Sequence, residues 1–163
     1  MSKRTVLSGL AAALGASAVL LAGMPGSASA AEVGIQAVGH QIKNEKTGLC
    51  LDSDDQGNVY TKGCAWDKHN AYQQWDYIWD AAGDTFALRN VQTLRCLSAH
   101  SGDGINTYPC WEHNIQKWTK TFHGGAVIIR NVHYGRALDS NHDGQAYTSP
   151  YGTGNPYMRW FEQ

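Results

Sequence analysis

Three copies of one short unit fill residues 40 to 163, and this internal repeat constrains the fold more than any other feature of the sequence. The closing tryptophans of the copies are 43 and 42 residues apart. A period of this length indicates tandem supersecondary units that bury their apolar faces against one another. The copies open on Ile42-Lys43-Asn44, Leu88-Arg89-Asn90 and Ile129-Arg130-Asn131, continue through Cys50-Leu51-Asp52, Cys96-Leu97-Ser98 and Ala137-Leu138-Asp139, and close on Trp75, Trp118 and Trp160.

Within each unit, short apolar stretches alternate with turn residues, which is typical of strands and hairpins. We predict strands at residues 49–52, 58–62, 73–79, 86–90 and 126–131. Hairpin turns are indicated by Asp-Asp-Gln-Gly at 54–57 and by Asn-His-Asp-Gly at 141–144. About four strands per unit would give about twelve in the chain.

The number of units selects the architecture. A β-propeller needs at least four blades and carries a Trp-Asp signature that is missing here. Three units of about 42 residues close naturally into a pseudo-threefold β-trefoil, with the closing tryptophans in a shared core. We therefore predict an all-β domain at 40–163, with repeats at 40–82, 83–123 and 124–163.

Only 17% of the residues are charged and 18 are Gly, which argues against a long-helix or disordered chain.

The first thirty residues have the layout of a secretory signal peptide. Lys3 and Arg4 precede an apolar run from Val6 to Leu21, and the small-residue triplet Ala28-Ser29-Ala30 follows. A membrane anchor is the weaker interpretation, because the run is interrupted by Gly and Ser and is shorter than the roughly 20 residues of a span. We predict cleavage after Ala30, a short segment at 31–39 and a secreted product.

The charge of the predicted mature chain excludes one class of partner. Removal of residues 1–30 leaves 11 basic and 14 acidic residues, a formal charge of −3. That balance gives no electrostatic basis for binding nucleic acid or an anionic membrane surface. We also expect no membrane span, and the sequence carries no signal for an oligomeric state.

The four cysteines form two pairs with the same spacing. Cys50 and Cys64 are 14 residues apart, as are Cys96 and Cys110. Four cysteines allow three connectivities, and an exported protein favours disulfides over zinc ligation. The third unit has Ala137 and Tyr151 at the two cysteine positions, so both members are lost together. This paired loss predicts the bridges Cys50–Cys64 and Cys96–Cys110, with a small and a large residue filling the space in the third unit.

These landmarks carry a resemblance to a known family. The Q-x-W ending of the units (Gln73-Gln74-Trp75 in the first), the Cys-Leu-Asp landmark and the threefold repeat resemble the ricin B-type β-trefoil lectins. The repeats are most similar to those of actinohivin-like actinomycete lectins. The matching segments are Arg130-Asn131, Gly135-Arg136, Leu138-Asp139-Ser140-Asn141, Gly144 and Tyr147-Thr148 in the third unit, and Leu51-Asp52-Ser53, Gly57-Asn58-Val59-Tyr60-Thr61 and Tyr72-Gln73-Gln74-Trp75 in the first.

The resemblance implies glycan sites in the first and third units. A sugar site needs a carboxylate to accept hydroxyl hydrogen bonds, an aromatic face for the ring C–H groups and a few amides for orientation. By resemblance, the acids and tyrosines lie where actinohivin-like lectins hold mannose. The family's contacting Asn falls at Ala65 and Gly152 here, so an asparagine five residues before the closing tryptophan could supply the amide instead. The predicted site residues are Asp52, Tyr60, Asn70 and Tyr72, and Asp139, Tyr147, Asn155 and Tyr157.

The repeats also depart from that pattern. In the second unit, Ser98, Asn106 and Ile115 replace the acid and both tyrosines, so we expect a weak or lost site there. The family's Leu after the Tyr-Thr pair is Lys62 in the first unit and Ser149 in the third. The sugar identity therefore stays open.

Structural interpretations of the same residues stay open as well. Asp52 and Asp139 could cap hairpin turns through their own side chains. Tyr60 and Tyr147 could be core aromatics of strands. The residues that follow the second cysteines, Trp66 and Trp111, could be stacking platforms or loop packing, whereas the closing tryptophans are expected in the core.

Catalytic and metal motifs are not predicted. Residues 139–144 resemble the opening of a calcium loop, but Pro150 takes the place of its bidentate Glu, so a turn is favoured. The candidate acids belong to separate units and could not flank one glycosidic bond. We expect no enzyme activity, no cofactor and no metal. The hypothesis is a secreted lectin for glycans or polysaccharides, with mannose-type sugars among the candidates. The alternative is a trefoil that binds or inhibits a protein such as a protease, and a third is an accessory module for a polysaccharide-degrading enzyme.

Overall fold

The computed structural model describes residues 39–66 and 69–163. These residues form twelve β-strands and three short 3₁₀ helices. The predicted signal peptide and cleavage site lie outside the described residues. No helix within these ranges is long and apolar enough to cross a membrane. The strands are β1 (Ile42–Asn44), β2 (Cys50–Ser53), β3 (Val59–Lys62), β4 (Trp75–Trp79), β5 (Phe86–Asn90), β6 (Arg95–Ala99), β7 (Ile105–Pro109), β8 (Trp118–His123), β9 (Ala126–Asn131), β10 (Arg136–Ser140), β11 (Ala146–Pro150) and β12 (Arg159–Glu162), and the helices are η1 (Ala71–Gln73), η2 (Asn114–Gln116) and η3 (Pro156–Met158).

Six of these strands close into an antiparallel ring. The order is β1, β4, β5, β8, β9, β12 and back to β1, and the contact between the β1 and β4 segments is a bridge between His40 and Trp75. The other six strands form the hairpins β2–β3, β6–β7 and β10–β11. A ring of six strands with three hairpins is the predicted β-trefoil, and the predicted strand count is confirmed.

Each closing tryptophan is fully buried and makes the same contact in its repeat. The indole N–H donates a hydrogen bond of 3.0 Å to the main-chain carbonyl of the leucine in the middle landmark. The indole body therefore joins the shared core while its polar edge stays satisfied. The pairs are Trp75 with Leu51, Trp118 with Leu97, and Trp160 with Leu138.

The asparagine that opens each repeat links it to the preceding one around the threefold axis. Its side-chain oxygen accepts backbone N–H groups two and three residues further on, which closes the turn after the strand. Its amide donates to a main-chain carbonyl in the 3₁₀ helix of the neighbouring repeat. The pairs are Asn44 with Tyr157, Asn90 with Tyr72, and Asn131 with Ile115.

Both predicted disulfides are present, Cys50–Cys64 and Cys96–Cys110. The third repeat has no cysteines at the equivalent positions. Ala137 packs with Ile128 and Met158 in a small apolar cluster. Tyr151 is 40% exposed and lies beneath the guanidinium of Arg130. A methionine from the 3₁₀ helix therefore packs beside the alanine.

Candidate functional site

The two acids of the predicted sites lie on the first strand of their hairpins, each opposite a predicted tyrosine. Asp52 in β2 pairs with Tyr60 in β3, and Asp139 in β10 pairs with Tyr147 in β11. Directly opposed residues of an antiparallel pair project from the same face of the sheet. The structure therefore brings the acid and the first tyrosine together in both repeats.

In the first repeat, the Asp52 carboxylate is held by amide donors. Its Oδ2 accepts from Gln73 Nε2 at 3.0 Å and from Asn70 Nδ2 at 3.5 Å, and the backbone N–H of Ser53 also donates to the carboxylate. Asp52 is 2% exposed. Burial raises the pKa of Asp52, and the Gln73 hydrogen bond and the charge of Lys62 oppose that rise.

The 3₁₀ helix positions the remaining residues of this site. Asn70 caps η1, because its Oδ1 accepts the backbone N–H of Tyr72 at 3.1 Å. The cap leaves the amide of Asn70 directed at Asp52. The phenol of Tyr72 donates to Asp55 Oδ2 at 2.8 Å, and this bond raises the pKa of Tyr72. The Tyr60 ring lies 5.3 Å from the ammonium of Lys62.

The third repeat builds a similar site with a different set of donors. Asp139, also 2% exposed, accepts from the backbone N–H of Ser140 at 2.7 Å and from Asn155 Nδ2 at 3.1 Å. The hydroxyl of Ser149 also hydrogen-bonds to Asp139. Burial is the largest effect on Asp139 and raises its pKa. Asn155 caps η3 through the N–H of Tyr157, whose ring lies 5.7 Å from His142.

The second repeat has no carboxylate at this position. Ser98 is fully buried, and its hydroxyl oxygen accepts a hydrogen bond of 2.9 Å from the side-chain amide of Gln116. Asn106 pairs with His100, and His113 takes the capping position that Asn70 and Asn155 hold elsewhere. The polar groups of this repeat thus hydrogen-bond to one another within the repeat.

Other residues close the hairpin turns, so the turn-cap interpretation of Asp52 and Asp139 is wrong. Asp54 accepts the N–H of Asn58 at 2.9 Å. Asn141 accepts the N–H groups of Asp143 and Gln145. Each capping residue follows the acid by two positions, because the acid is still within its strand and the turn begins beyond it.

The tryptophans after the second cysteines are on the surface. Trp66 is 93% exposed and Trp111 is 54% exposed. At this exposure Trp66 does not serve as loop packing. Trp111 lies against the ring of Tyr108, with the ring centroids 6.1 Å apart, so loop packing and a stacking surface both stay predictions for it.

Comparison with known sequences identifies the family. Residues 38–160 match the model of the ricin-type beta-trefoil lectin domain. The chain belongs to the ricin-type β-trefoil lectin family. This match covers more than half of the chain and all three repeats. No curated protein sequence matches the chain significantly.

Solved structures show that other proteins share the ricin-type trefoil fold. A designed threefold-symmetric protein, ThreeFoil, aligns with a TM-score of 0.66 and 20% identity, over 76% of this chain and 96% of its own. Cry35Ab1 aligns with a TM-score of 0.66 and 19% identity, over 76% of this chain and 35% of its own. A mosquitocidal holotoxin aligns with a TM-score of 0.69 and 23% identity, over 79% of this chain and 17% of its own. At these identities the similarity shows the fold alone.

Sequence reasoning missed several residues that shape the sites of this ricin-type domain. Gln73 was recognised only as part of the closing motif, yet it is a direct partner of Asp52. Lys62 and Ser149 depart from the family pattern, yet each acts on the acid of its own repeat. The charge of Lys62 lowers the pKa of Asp52, and the Ser149 hydroxyl hydrogen-bonds to Asp139. The available signal was that each residue follows the acid of its repeat by ten positions and lies on the paired strand.

Proposed function

We propose that the protein is a secreted, non-enzymatic lectin with glycan sites in the first and third repeats. The observation that carries this proposal is the recurrence of one arrangement in two repeats: an acid opposite a tyrosine, with an asparagine amide and a second tyrosine from the 3₁₀ helix. The arrangement supplies the acceptor, the aromatic surface and the orienting amide that a sugar requires.

The protein's own hydrogen bonds do not use every acceptor position of the two carboxylates. A carboxylate has about four lone-pair positions. Asp52 receives donors from Ser53, Asn70 and Gln73. Asp139 receives donors from Ser140, Ser149 and Asn155. Each acid therefore retains about one acceptor position, and its orientation is already held by protein groups, which reduces the ordering cost of binding.

Two sites on one domain support binding to multivalent glycans. Shallow single sites bind sugars weakly, in the range of about millimolar, or about −4 kcal/mol. A polysaccharide that engages both repeats would bind more tightly through effective concentration. Mannose-type sugars are candidates because the resemblance to actinohivin-like repeats covers both acid sites.

A glycan array tests this function directly. We expect binding by the wild-type chain, reduced binding by Asp52→Asn and by Asp139→Asn, and loss of binding by the double variant. Asp84→Asn is the control, because it removes an exposed acid in the turn between β4 and β5. An array with no binding, or binding that the double variant retains, would reject the lectin sites.

Secretion has its own test. The basic start, the apolar run and the Ala28-Ser29-Ala30 triplet support export, and two disulfides suit an oxidising compartment. We expect the exported protein to begin at Ala31, which N-terminal sequencing of a culture supernatant would determine. Retention of residues 1–30 in the mature product would contradict the export proposal.

A second candidate function, protein binding, is favoured by the two exposed tryptophans. Trp66 and Trp111 lie outside the acid sites, and exposed tryptophans are over-represented among residues that dominate protein interfaces. For this function we expect inhibition of one class in a panel of serine, cysteine and metalloproteases, reduced by Trp66→Ala and Trp111→Ala. Unchanged activity across the panel would reject the inhibitor function.

A further inference from the structure

The three hairpins interlock so that the turn of one repeat lies beside the strand of the next. A threonine N–H in β3, β7 or β11 donates to a carbonyl in the neighbouring turn at 2.7 to 2.8 Å. Thr61 bonds to Gly144, Thr107 to Gly57, and Thr148 to Asp103. Two of the three acceptors are therefore glycines, and the one beside the third-repeat site is an aspartate.

Close packing explains why glycine occupies the other two positions. A Cβ on Gly57 would lie 2.7 Å from the Thr107 carbonyl oxygen, and one on Gly144 would lie 2.9 Å from that of Thr61. Both glycines also have positive φ angles, of 93° and 82°. The second repeat places its positive-φ glycine one position earlier, at Gly102, so Asp103 can carry a side chain. Only the third-repeat site therefore has an acidic neighbour from another repeat at this position.

An open cleft of about 440 Å³ lies beside this turn and is also lined by the third-repeat hairpin. Asp103 and Ile105 line it from the second repeat, and Asn141, Gln145 and Tyr147 line it from the third. The carboxylate of Asp103 is exposed and accepts no hydrogen bond from the part of the chain that the structure describes. Asn141 donates to Gln145 Oε1 at 2.6 Å, which leaves the Gln145 amide group as a donor at the cleft.

Tyr147 connects this cleft with the Asp139 site. It lies opposite Asp139 in the hairpin and also lines the cleft. Burial raises the pKa of Tyr147, and the charges of Asp139 and Asp103 both add to that rise. The phenol is thus within electrostatic range of an acid on each side.

We infer that the third-repeat site continues across the repeat boundary and binds a second sugar residue in the cleft beside Asp103. This inference rests on the proposed lectin function. The sugar at Asp139 would contact Tyr147, and the next residue of the glycan would place its hydroxyls against the Asp103 carboxylate and the Gln145 amide. In the first repeat the equivalent neighbour is Gly144, which offers no side chain. The third repeat is therefore selective for an oligosaccharide, whereas no equivalent carboxylate extends the first-repeat site.

The test uses the full chain with the first-repeat site inactivated by Asp52→Asn. Titration calorimetry or NMR compares the methyl glycosides of mannose, glucose and galactose with their homodisaccharides. We expect a disaccharide to bind about tenfold more tightly than its monosaccharide, which corresponds to about one charge-assisted hydrogen bond. Adding Asp103→Asn should remove that advantage and leave the monosaccharide affinity unchanged. Asp143→Asn, an exposed acid that does not line the cleft, is the matched control.

The outcomes separate this inference from the proposed function. If Asp103→Asn leaves disaccharide binding unchanged while Asp139→Asn abolishes it, the site exists but the second subsite does not. If disaccharides and monosaccharides bind equally, the subsite is likewise rejected. If no glycoside binds the Asp52→Asn protein, the third-repeat site and the inference fail together. The Asp103→Asn change keeps the backbone carbonyl that Thr148 uses, so the fold should be retained.

Discussion

The side-chain amide of Gln73 donates a hydrogen bond of 3.0 Å to the buried carboxylate of Asp52. The same amide donates to the Gly63 carbonyl, and its oxygen accepts the N–H of Ala65 at 2.8 Å. One side chain thus joins the acid to the loop that follows β3. In the third repeat the corresponding residue is Met158, which packs against Ala137.

Gln73→Met would give the first repeat the residue of the third and should destabilise the protein. The change leaves the Gly63 carbonyl and the Ala65 N–H without their partner, at a cost of about 2 to 4 kcal/mol in the free energy of unfolding. Urea unfolding followed by tryptophan fluorescence measures the difference. Gln56→Met, at an exposed turn residue, should change stability by less than about 0.5 kcal/mol. Equal effects of the two changes would contradict a structural role for Gln73.

Trp160→Phe should destabilise the core by about 2 to 3 kcal/mol, because it opens a cavity and leaves the Leu138 carbonyl without its indole donor. The equivalent changes at Trp75 and Trp118 should have similar effects, since all three make the same contact. Trp66→Phe serves as the exposed control and should be close to neutral. A neutral Trp160→Phe would show that the indole hydrogen bond contributes nothing measurable.

Gly144→Ala should destabilise the hairpin interlock. The residue has a φ of 82°, and the added Cβ would lie 2.9 Å from the Thr61 carbonyl oxygen. Gly83 has a similar φ of 76° but nothing within 4 Å of the added Cβ. We therefore expect Gly83→Ala to cost about 1 kcal/mol for the backbone alone and Gly144→Ala to cost about 1 to 2 kcal/mol more. Chemical denaturation of both variants measures this difference, and equal losses would mean that the close approach is relieved elsewhere.

Asp139 makes a pH-dependent contribution to the free energy of unfolding, and the sign of this contribution follows from the burial of the carboxyl group. Burial raises the pKa of Asp139 above its ordinary value of 3.8, so the folded chain binds a proton more tightly than the unfolded chain. The free energy of unfolding contributed by this group therefore falls as pH rises from about 3.8 through the folded-state pKa, and is constant above it. Urea unfolding of wild type and Asp139→Asn between about pH 3 and pH 8 should show this fall in their difference.

Asp54 supplies a control of opposite sign. The amide of Asn58 lowers the pKa of Asp54. The stability that Asp54 contributes is therefore present above its ordinary value of 3.8 and is lost as pH falls through the folded-state pKa. The difference between wild type and Asp54→Asn should thus rise with pH. The same direction for Asp54→Asn and Asp139→Asn would contradict the assignment of burial as the cause at Asp139.

Much of the fold was predictable from the sequence, because it follows from repeated local signals. The spacing of Trp75, Trp118 and Trp160 indicated three units that close on one core. The paired loss of cysteines at Ala137 and Tyr151 identified both disulfides. The strands at Phe86–Asn90 and Ala126–Asn131 were predicted with correct bounds. Gln73 was wrongly included in a strand, because the Asn70 cap and the contacts of its own side chain hold it in a 3₁₀ turn.

The sequence by itself determined that three repeats share a core, that two carry a disulfide and that two retain an acid beside a tyrosine. Only the tertiary structure decided which groups surround those acids, that Met158 packs beside Ala137, and that Asp103 of one repeat borders the site of the next. The physical reason is distance along the chain. Repeats and cysteine spacings are local patterns, whereas hydrogen-bond partners and side-chain packing arise between segments that meet only when the strand ring closes.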